Sequence, residues 1–556
     1  MTFGRGPRTW FRIEVFAFAA IVVLAAVLRL VDLAARGTWD ADQGHDMLIL
    51  LGLLDGRIPL LGPPTSIGDF HHGVVYYLLL APAALVSGAN PVAITAWIAL
   101  GGVVAVAVTG WLARAIGGPI AGLIAALLLA TSASAVEEST FIWNPNLVAL
   151  TSSVALAAAW RAWQGGRPRW WVVAGAAAVA TMQCHVLGVI LTPVIAALLV
   201  ADVRRRRQRG DRDGAAGVAR AAMGWIVIGL LSYVPLAIHE LGSSGSEIRA
   251  AIAFVTSGGD AGGTSLPARI PIVGLRVLGW PLTGLITAAP IATLLASGLV
   301  AALTVWRGWL TRHPGPGGVA GNDTSAVDER TAVRWLGLGL AWTVVALAVG
   351  ASGLATVVAG LPNDHYHAFA DPMVVVLVAV GLAAMSRSAQ RRFGVGRDGR
   401  FVVGAVASVA IVVALVGWNL GRQPPRVAAD GGWPQAERAA AAVVPVTGGQ
   451  AVVLSSLPTF KSDEALRFPL ERLGTEVTPA GDVGPLYAPP EAPRIVLCDQ
   501  LFRLALGADC GGPAEDAWLA DPASNLTPAA GSGVRRLRAV GRFEAAPGRW
   551  VSIYRP

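Results

Sequence analysis

Residues 11–31 read FRIEVFAFAAIVVLAAVLRLV, and residues 37–88 read GTWDADQGHDMLILLGLLDGRIPLLGPPTSIGDFHHGVVYYLLLAPAALVSG. The first stretch is long and apolar enough to cross a bilayer as one helix, which takes about 20 residues. The second combines carboxylates, a histidine pair and a Gly/Pro-rich turn region with apolar runs. A span followed by a long loop of this kind predicts a polytopic membrane protein with its chemistry at a membrane surface.

The composition of the 556 residues supports a membrane protein, because 54% are hydrophobic and only 14% are charged. Soluble proteins carry about a quarter charged residues, so an ordinary soluble enzyme, a disordered chain and a fibrous protein are excluded. The formal net charge is +8, yet residues 421–556 carry 14 acidic and 14 basic side chains. The positive surplus therefore lies in short loops between apolar runs, and we predict no nucleic-acid partner.

Further apolar runs predict an all-α polytopic membrane domain of about eleven transmembrane helices. The first, 11–31, is too long for the apolar core of a signal peptide and is expected to remain as an anchor. The other predicted spans are roughly 93–113, 117–136, 147–163, 170–184, 186–202, 219–240, 284–305, 334–356, 372–386 and 401–419.

The arginines set the predicted orientation, because cytoplasmic loops are enriched in Lys and Arg. If the N-terminus is cytoplasmic and segment 73–88 does not span, the arginine-rich loops, including Arg204–Arg207, lie inside and the acidic loops lie outside. If 73–88 spanned, every later loop would change sides. We therefore predict that 73–88 lies in the outer interface, a depth that suits Tyr76 and Tyr77.

Residues 421–556, called the tail below, predict a small extracytoplasmic α/β domain that follows a transmembrane domain at 1–420 with its first outer loop at 34–92. The predicted elements of the tail are a Pro/Gly-rich linker at 421–436, a strand at 451–456, a helix at 462–473 capped by Ser462, a strand at 494–499 and a closing hairpin. Because an oxidising exterior permits disulfides, we expect one between Cys498 and Cys510.

The first outer loop carries three motifs: DADQGHD at 40–46, the run L-L-x-G-x-x-P-L-L-G-P-x-T-S-x-G and the segment G-x-x-Y-Y-x-x-L-A-P. With STFIWNPNLVAL (139–150) and NDHYHAFADP (363–372), this pattern resembles membrane glycosyltransferases of the GT-C class. It is most similar to the bacterial branch with an RgtA/B/C/D-type domain, related to protein O-mannosyltransferases (glycosyltransferase family 39) and aminoarabinose transferases. The resemblance covers about residues 11–390.

The resemblance implies an inverting transfer of a sugar from a polyprenyl-phosphate donor to a glycan, lipid or protein acceptor outside the bacterial plasma membrane. It implies a first-loop aspartate as general base, which we assign to Asp42 before Asp40. Several relatives carry an aspartate shortly after the third span, where this chain has Glu137, Glu138 and Asn144. No cofactor or metal is predicted.

The chemistry requires a carboxylate that accepts the proton of the acceptor hydroxyl and cations that stabilise charge developing on the lipid phosphate. The residues predicted to contact substrate are Asp46, His71, His72, Glu137, Glu138, Asn144, His185, His365, Tyr366 and His367, with Arg57, Arg269 and Arg276 as further cations. Plainer roles remain open: Asp40 or Asp42 as a helix cap, and His185 as a buried, hydrogen-bonded core residue.

A second function class fits the same composition: a transporter or lipid flippase with an outer sensor domain. Transporters place ionisable residues near the middle of the bilayer and often contain inverted repeats with broken helices. Here the candidate carboxylates and histidines cluster at one face, in the outer loops, and the two halves of the chain differ. The pattern therefore favours an enzyme whose partners are a lipid-linked sugar, an acceptor and membrane lipids, over a transporter or a purely structural envelope protein.

Overall fold

The computed structural model describes residues 7–65, 70–165, 167–256, 264–310, 324–351, 354, 364–392, 401–458, 463–480, 492–520 and 537–555. Before the tail the chain is helical. Its α-helices are α1 (Pro7–Leu30), α2 (Leu33–Arg36), α3 (Ala41–Leu54), α4 (Val75–Ser87), α5 (Pro91–Gly117), α6 (Pro119–Thr131), α7 (Ala133–Glu137), α8 (Val148–Trp163), α9 (Arg169–Cys184), α10 (Leu191–Gln208), α11 (Arg212–Ser232), α12 (Val234–Ser243), α13 (Ser246–Thr256), α14 (Leu266–Thr283), α15 (Pro290–Val305), α16 (Thr324–Gly350), α17 (Asp371–Arg392) and α18 (Phe401–Leu420).

Eight stretches of described helix are long and apolar enough to cross a membrane, judged by length and composition. They are Phe11–Leu30, Pro91–Gly117, Val186–Gln208, Arg212–Ser243, Pro290–Leu310, Asp328–Gly350, His365–Arg387 and Val403–Leu420. The other three predicted spans coincide with α6, α8 and α9, which have 13, 16 and 16 residues. The all-α polytopic fold is therefore confirmed, and three of its predicted spans are short helices.

Segment 73–88 forms α4, whose 13 residues extend about 20 Å, less than the roughly 30 Å of a bilayer core. The turn that ends α4 contains Gly88 at φ 63°, a left-handed conformation that glycine adopts without a Cβ clash. The side chain of Asn90 then caps α5, which starts at Pro91. Tyr76 and Tyr77 are fully buried, so these side chains point into the protein instead of toward the lipid interface.

The apolar pattern of the first outer loop predicts an amphipathic helix at about 45–54. Helix α3 begins four residues earlier, at Ala41. Asp40 is its N-cap: the side chain accepts a hydrogen bond from the backbone N–H of Ala41, and the Gln43 side chain accepts one from the Asp40 backbone at 2.8 Å. The sequence D-A-D-Q supplies this capping box. The first turn of α3 therefore includes both Asp42 and Gln43.

The tail forms a five-stranded mixed sheet flanked by helices, as predicted for an α/β unit. The strands are β1 (Val452–Leu457), β2 (Val477–Pro479), β3 (Arg494–Asp499), β4 (Arg538–Ala546) and β5 (Arg549–Arg555), and the helices are α19 (Gly432–Thr447), α20 (Glu464–Arg472), α21 (Arg503–Leu506) and α22 (Pro513–Ala520). The order is β2-β1-β3-β5-β4, with β2, β1 and β3 parallel and the β4–β5 hairpin closing one edge. Cys498 and Cys510 are joined by a disulfide, while Ser462 lies outside the described residues.

Candidate active site

The two carboxylates at the start of the first outer loop have different environments. Asp40 caps α3, and its Oδ1 lies 3.0 Å from the guanidinium of Arg549 in the tail. Asp42 lies in the first turn of α3 and is exposed. Positive partial charge at a helix N-terminus favours a carboxylate there. Asp40 therefore has a structural role as a helix cap and ion-pair partner, whereas the side chain of Asp42 is exposed where a substrate can reach it.

Asp46 lies one turn further along α3, and only 2% of its surface is exposed. The hydroxyl of Tyr76 donates to its Oδ2 at 2.7 Å, and the hydroxyl of Tyr77 donates to its Oδ1 at 2.9 Å. Burial raises the pKa of Asp46 to about 7, while His45 and the tyrosine hydroxyls lower it in part. This three-residue contact fixes α3 to α4, and the sequence pattern did not predict that role for the tyrosines.

Four segments distant in sequence bring together a group of aromatic and imidazole rings, called the histidine group below: His72, His185, Tyr366, His365 and Trp143. Consecutive ring centroids lie 4.9 Å apart for His72–His185, 4.8 Å for His185–Tyr366, 4.1 Å for Tyr366–His365 and 4.0 Å for His365–Trp143. Four of these five residues were predicted as substrate contacts, and the fold places them side by side.

The hydrogen bonds of two of these histidines define which ring nitrogen carries the proton. Burial, with a smaller contribution from His71, lowers the pKa of His72 to about 4, and burial also lowers the pKa of His185. The Nδ1 of His72 accepts from the backbone N–H of Val186 at 3.2 Å, and the Nδ1 of His185 accepts from Leu187 at 3.3 Å. Each neutral imidazole therefore carries its proton on Nε2, where it can donate to a ligand oxygen.

A cavity of about 180 Å³ opens beside His72. Its apolar lining includes Leu60, Leu61, Val186, Val189 and Leu236, and its polar lining includes His71, His72, Gln183, Ser232 and Tyr233. His71 is tied to α13, because its backbone N–H and its Nδ1 lie 2.7 Å and 3.0 Å from the carboxylate oxygens of Glu247. The cavity thus combines apolar walls with polar groups, as expected for a site that binds an amphipathic ligand.

The other predicted residues take several positions. Asn144 is buried and donates to the carbonyl oxygen of Cys184 at 2.6 Å, which holds its loop against the residue next to His185. Glu137 is exposed at the end of α7. Glu138 lines a small cavity with Arg29 and Asn146. His367 is buried, with its ring edge-on to Trp280 at 6.4 Å.

The three predicted arginines contact other groups of the protein. Arg57 pairs with Asp55 at 2.9 Å, Arg269 donates to the carbonyl oxygen of Thr264, and the buried Arg276 donates to that of Leu354. Within the described ranges, no three His, Cys, Asp or Glu side chains are grouped so that they could hold a metal ion.

Two residues near Asp42 were missed in the sequence. His45 lies one helical turn after Asp42, and its Nδ1 is 2.9 Å from the carboxylate of Glu464 in the tail. The spacing of Asp42 and His45 along α3 places their side chains on neighbouring positions of one helix face. This i, i+3 spacing was a local signal for His45, but nothing local in the sequence links His45 to a residue 419 positions away.

Comparison with known proteins shows one matching family model and several solved structures of similar fold. Residues 71–222, from the second half of the first outer loop into α11, match the family model described as dolichyl-phosphate-mannose-protein mannosyltransferase. A sequence search of curated proteins gave no match. Together with the solved structures below, the matched segment confirms the predicted resemblance to the GT-C class.

Two solved structures of ArnT from Cupriavidus metallidurans have a similar fold. The ArnT bound to undecaprenyl phosphate has 14% sequence identity and a TM-score of 0.56, over 99% of this chain and 98% of that chain. The apo form has 15% identity and a TM-score of 0.54, over 97% of each chain. An Archaeoglobus fulgidus oligosaccharyltransferase, solved with Zn and sulfate, has 13% identity and a TM-score of 0.51, over 88% of this chain and 68% of that one.

Proposed function

We propose that the protein is an inverting membrane glycosyltransferase that moves a sugar from a polyprenyl-phosphate donor to an envelope acceptor outside the bacterial plasma membrane. The observation that carries this proposal is the position of Asp42, which is exposed on a helix that Asp46 anchors to α4. The same outer loop contains His72, which lines a partly apolar cavity. The similar ArnT structure is bound to undecaprenyl phosphate, which supports a lipid phosphate as the donor's carrier.

Asp42 acts as the general base in this proposal. Its carboxylate takes the proton of the acceptor hydroxyl while that oxygen forms a bond to the anomeric carbon of the sugar. The bond between the anomeric carbon and the phosphate oxygen breaks, and its electron pair leaves with the lipid phosphate. A single displacement of this kind inverts the configuration at the anomeric carbon. Asp40 caps the helix and pairs with Arg549, so it has the smaller role.

The phosphate is the proposed ligand of the histidine group. His72 and His185 each present an Nε2–H donor, and donors fixed before the reaction stabilise charge that develops on a leaving oxygen. His71, His365, Tyr366 and His367 are proposed to complete this region, while Asp46 and Asn144 hold its elements in place. The apolar walls beside His72 are proposed to take the first isoprene units of the lipid.

The proposed orientation places this site outside and the arginine run inside. His185 precedes α10 and Arg204–Arg207 stand at its other end, a separation of about 27 Å along an 18-residue helix. The opposite ends of one helix therefore carry the candidate site and the strongest cytoplasmic signal. The tail, which contacts the first outer loop, lies outside in the same arrangement.

Mass spectrometry of lipid-linked sugars and envelope glycans, in cells with and without the protein, tests this function. We expect one polyprenyl-phosphate sugar to accumulate in the deletion strain and one glycan to lose that sugar. Wild-type protein and the Arg542→Ala variant, changed in a tail residue paired with Asp516, should both restore the glycan. Unchanged pools of every lipid-linked sugar and glycan would contradict the proposal and favour a transporter or flippase.

A further inference from the structure

The tail contacts the first outer loop on both sides of Asp42. Before it, Arg549 on β5 donates to the carbonyl oxygen of Trp39 at 2.9 Å and pairs with Asp40 at 3.0 Å. After it, Glu464 at the start of α20 pairs with the Nδ1 of His45 at 2.9 Å. Asp42 therefore lies two residues after one ion pair and three residues before the other.

Close packing accompanies these ion pairs. The indole of Trp39 is buried, its N–H donates to the carbonyl oxygen of Ala465 at 2.8 Å, and its ring centroid lies 4.6 Å from Trp433 and 5.8 Å from Phe468. A Cβ at Gly44 would stand 2.1 Å from the carbonyl oxygen of Glu464. Only glycine therefore allows α3 to approach α20 this closely.

We propose that the tail is part of the active site, with Arg549 and Glu464 as positioning residues that hold Asp42 at the reacting atoms. This inference rests on the proposed function of Asp42 as general base. A rotation or fraying of the first turn that moved Asp42 would break one of the two ion pairs. Small displacements of a catalytic group lower the rate strongly, because the reacting atoms must meet within a narrow range of distances and angles.

The pair of His45 and Glu464 adds a dependence on pH. His45 faces Glu464 on α20 and Asp42 and Asp46 on its own helix, and Glu464 has Tyr77 and Asp463 near it. Burial lowers the pKa of His45, but the hydrogen bond and charge of Glu464, with the two aspartates, raise it overall. The ion pair is therefore present at low pH and is lost as the pH rises through this raised pKa.

The test compares Arg549→Ala, Arg549→Lys and Glu464→Gln with wild type, using protein in lipid nanodiscs and the lipid-linked sugar isolated from deletion cells. We expect kcat to fall about 10- to 100-fold in Arg549→Ala with KM for the lipid donor nearly unchanged. Arg549→Lys should recover part of kcat, because an ammonium can hold one of the two oxygen contacts. In Glu464→Gln the alkaline limb of kcat should move to lower pH, because an uncharged partner stabilises the imidazolium less.

Two variants of the tail serve as matched controls. Arg542→Ala removes the same side chain from the neighbouring strand, where it pairs with Asp516, and Glu471→Gln neutralises a carboxylate on α20 that pairs with Arg467. Both should keep the kcat and pH profile of wild type. Equal kcat losses in Arg549→Ala and Arg542→Ala, with no shift of the pH profile in Glu464→Gln, would overturn the inference.

Hydrogen exchange gives a measurement that does not depend on activity. We expect amide exchange at residues 41–45 to be at least about tenfold faster in Arg549→Ala than in wild type, because a hydrogen bond to a charged group has been lost. Unchanged exchange in this turn would refute positioning even if kcat falls. Wild-type protein that transfers no sugar would instead refute the proposed function, and exchange would still decide whether the tail holds α3.

Discussion

Asp46→Asn is the variant whose effect the structure defines most closely. The carboxylate of Asp46 is buried between two tyrosine hydroxyls, and burial raises its pKa from the ordinary value of 3.8 to about 7. Asparagine has nearly the same size, can bond to both hydroxyls and has no charge at any pH. The variant therefore keeps the contact between α3 and α4 and removes only the titration of this group.

The size of the expected change in unfolding free energy follows from the linkage between proton binding and folding. A rise of about three pKa units corresponds to about 4 kcal/mol, at roughly 1.36 kcal/mol per unit. Between pH 4 and pH 7 the folded protein retains a proton on Asp46 that the unfolded chain releases, so the free energy of unfolding falls as pH rises. The stability of Asp46→Asn relative to wild type should therefore increase by up to about 4 kcal/mol across this range.

Thermal unfolding of both proteins in detergent, at fixed scan rate from pH 4 to pH 8, measures this difference. Infrared difference spectra of wild type against Asp46→Asn follow the same group directly, because the protonated carboxyl has its own C=O band. We expect that band to disappear near pH 7. A band that disappears near pH 4, or a stability difference that does not change with pH, would refute the account of Asp46.

Three further predictions concern the tail and the orientation. Peptide mapping under non-reducing, alkylating conditions should find Cys498 bonded to Cys510, a link that contributes about 3 kcal/mol to the tail by the chain-entropy estimate; two free thiols would contradict it. Reporters fused after Arg207 and after Pro556 should lie inside and outside respectively. An outward reporter after Arg207 would contradict the proposed orientation and place the candidate site on the cytoplasmic side. Trp39→Ala should cost about 3–5 kcal/mol of unfolding free energy and expose the first loop to protease, whereas unchanged protease resistance would show that the tail docks without this indole.

Local patterns in the sequence predicted the fold class and most of its elements, although the linker predicted at 421–436 overlaps α19, which begins at Gly432. Apolar length predicts the spans, and alternation with turn residues predicts the β4–β5 hairpin, because both signals lie within a few neighbouring residues. The apolar residues of the first outer loop predict a start of α3 at about residue 45, which is four residues too late. The capping box at Asp40 and Gln43, which is polar, sets the actual start.

Contacts between distant segments could not be read from the sequence. Arg549 and Asp40 are 509 positions apart, and His45 and Glu464 are 419 apart. The pair Tyr76 and Tyr77 matched an interfacial pattern, yet their hydroxyls satisfy a buried carboxylate. A buried acid needs such donors, but which donors meet it depends on how α3 packs on α4.

The central claim is that Asp42 is the general base of a sugar transfer, and kcat of Asp42→Asn in nanodiscs tests it most directly. Asparagine keeps the size of the side chain but cannot accept the proton of the acceptor hydroxyl. We expect kcat to fall by about 10²–10⁴ with unchanged binding of undecaprenyl phosphate, while Asp40→Asn loses less. Full activity in Asp42→Asn, in Asp40→Asn and in the double variant would remove the first outer loop from the chemistry.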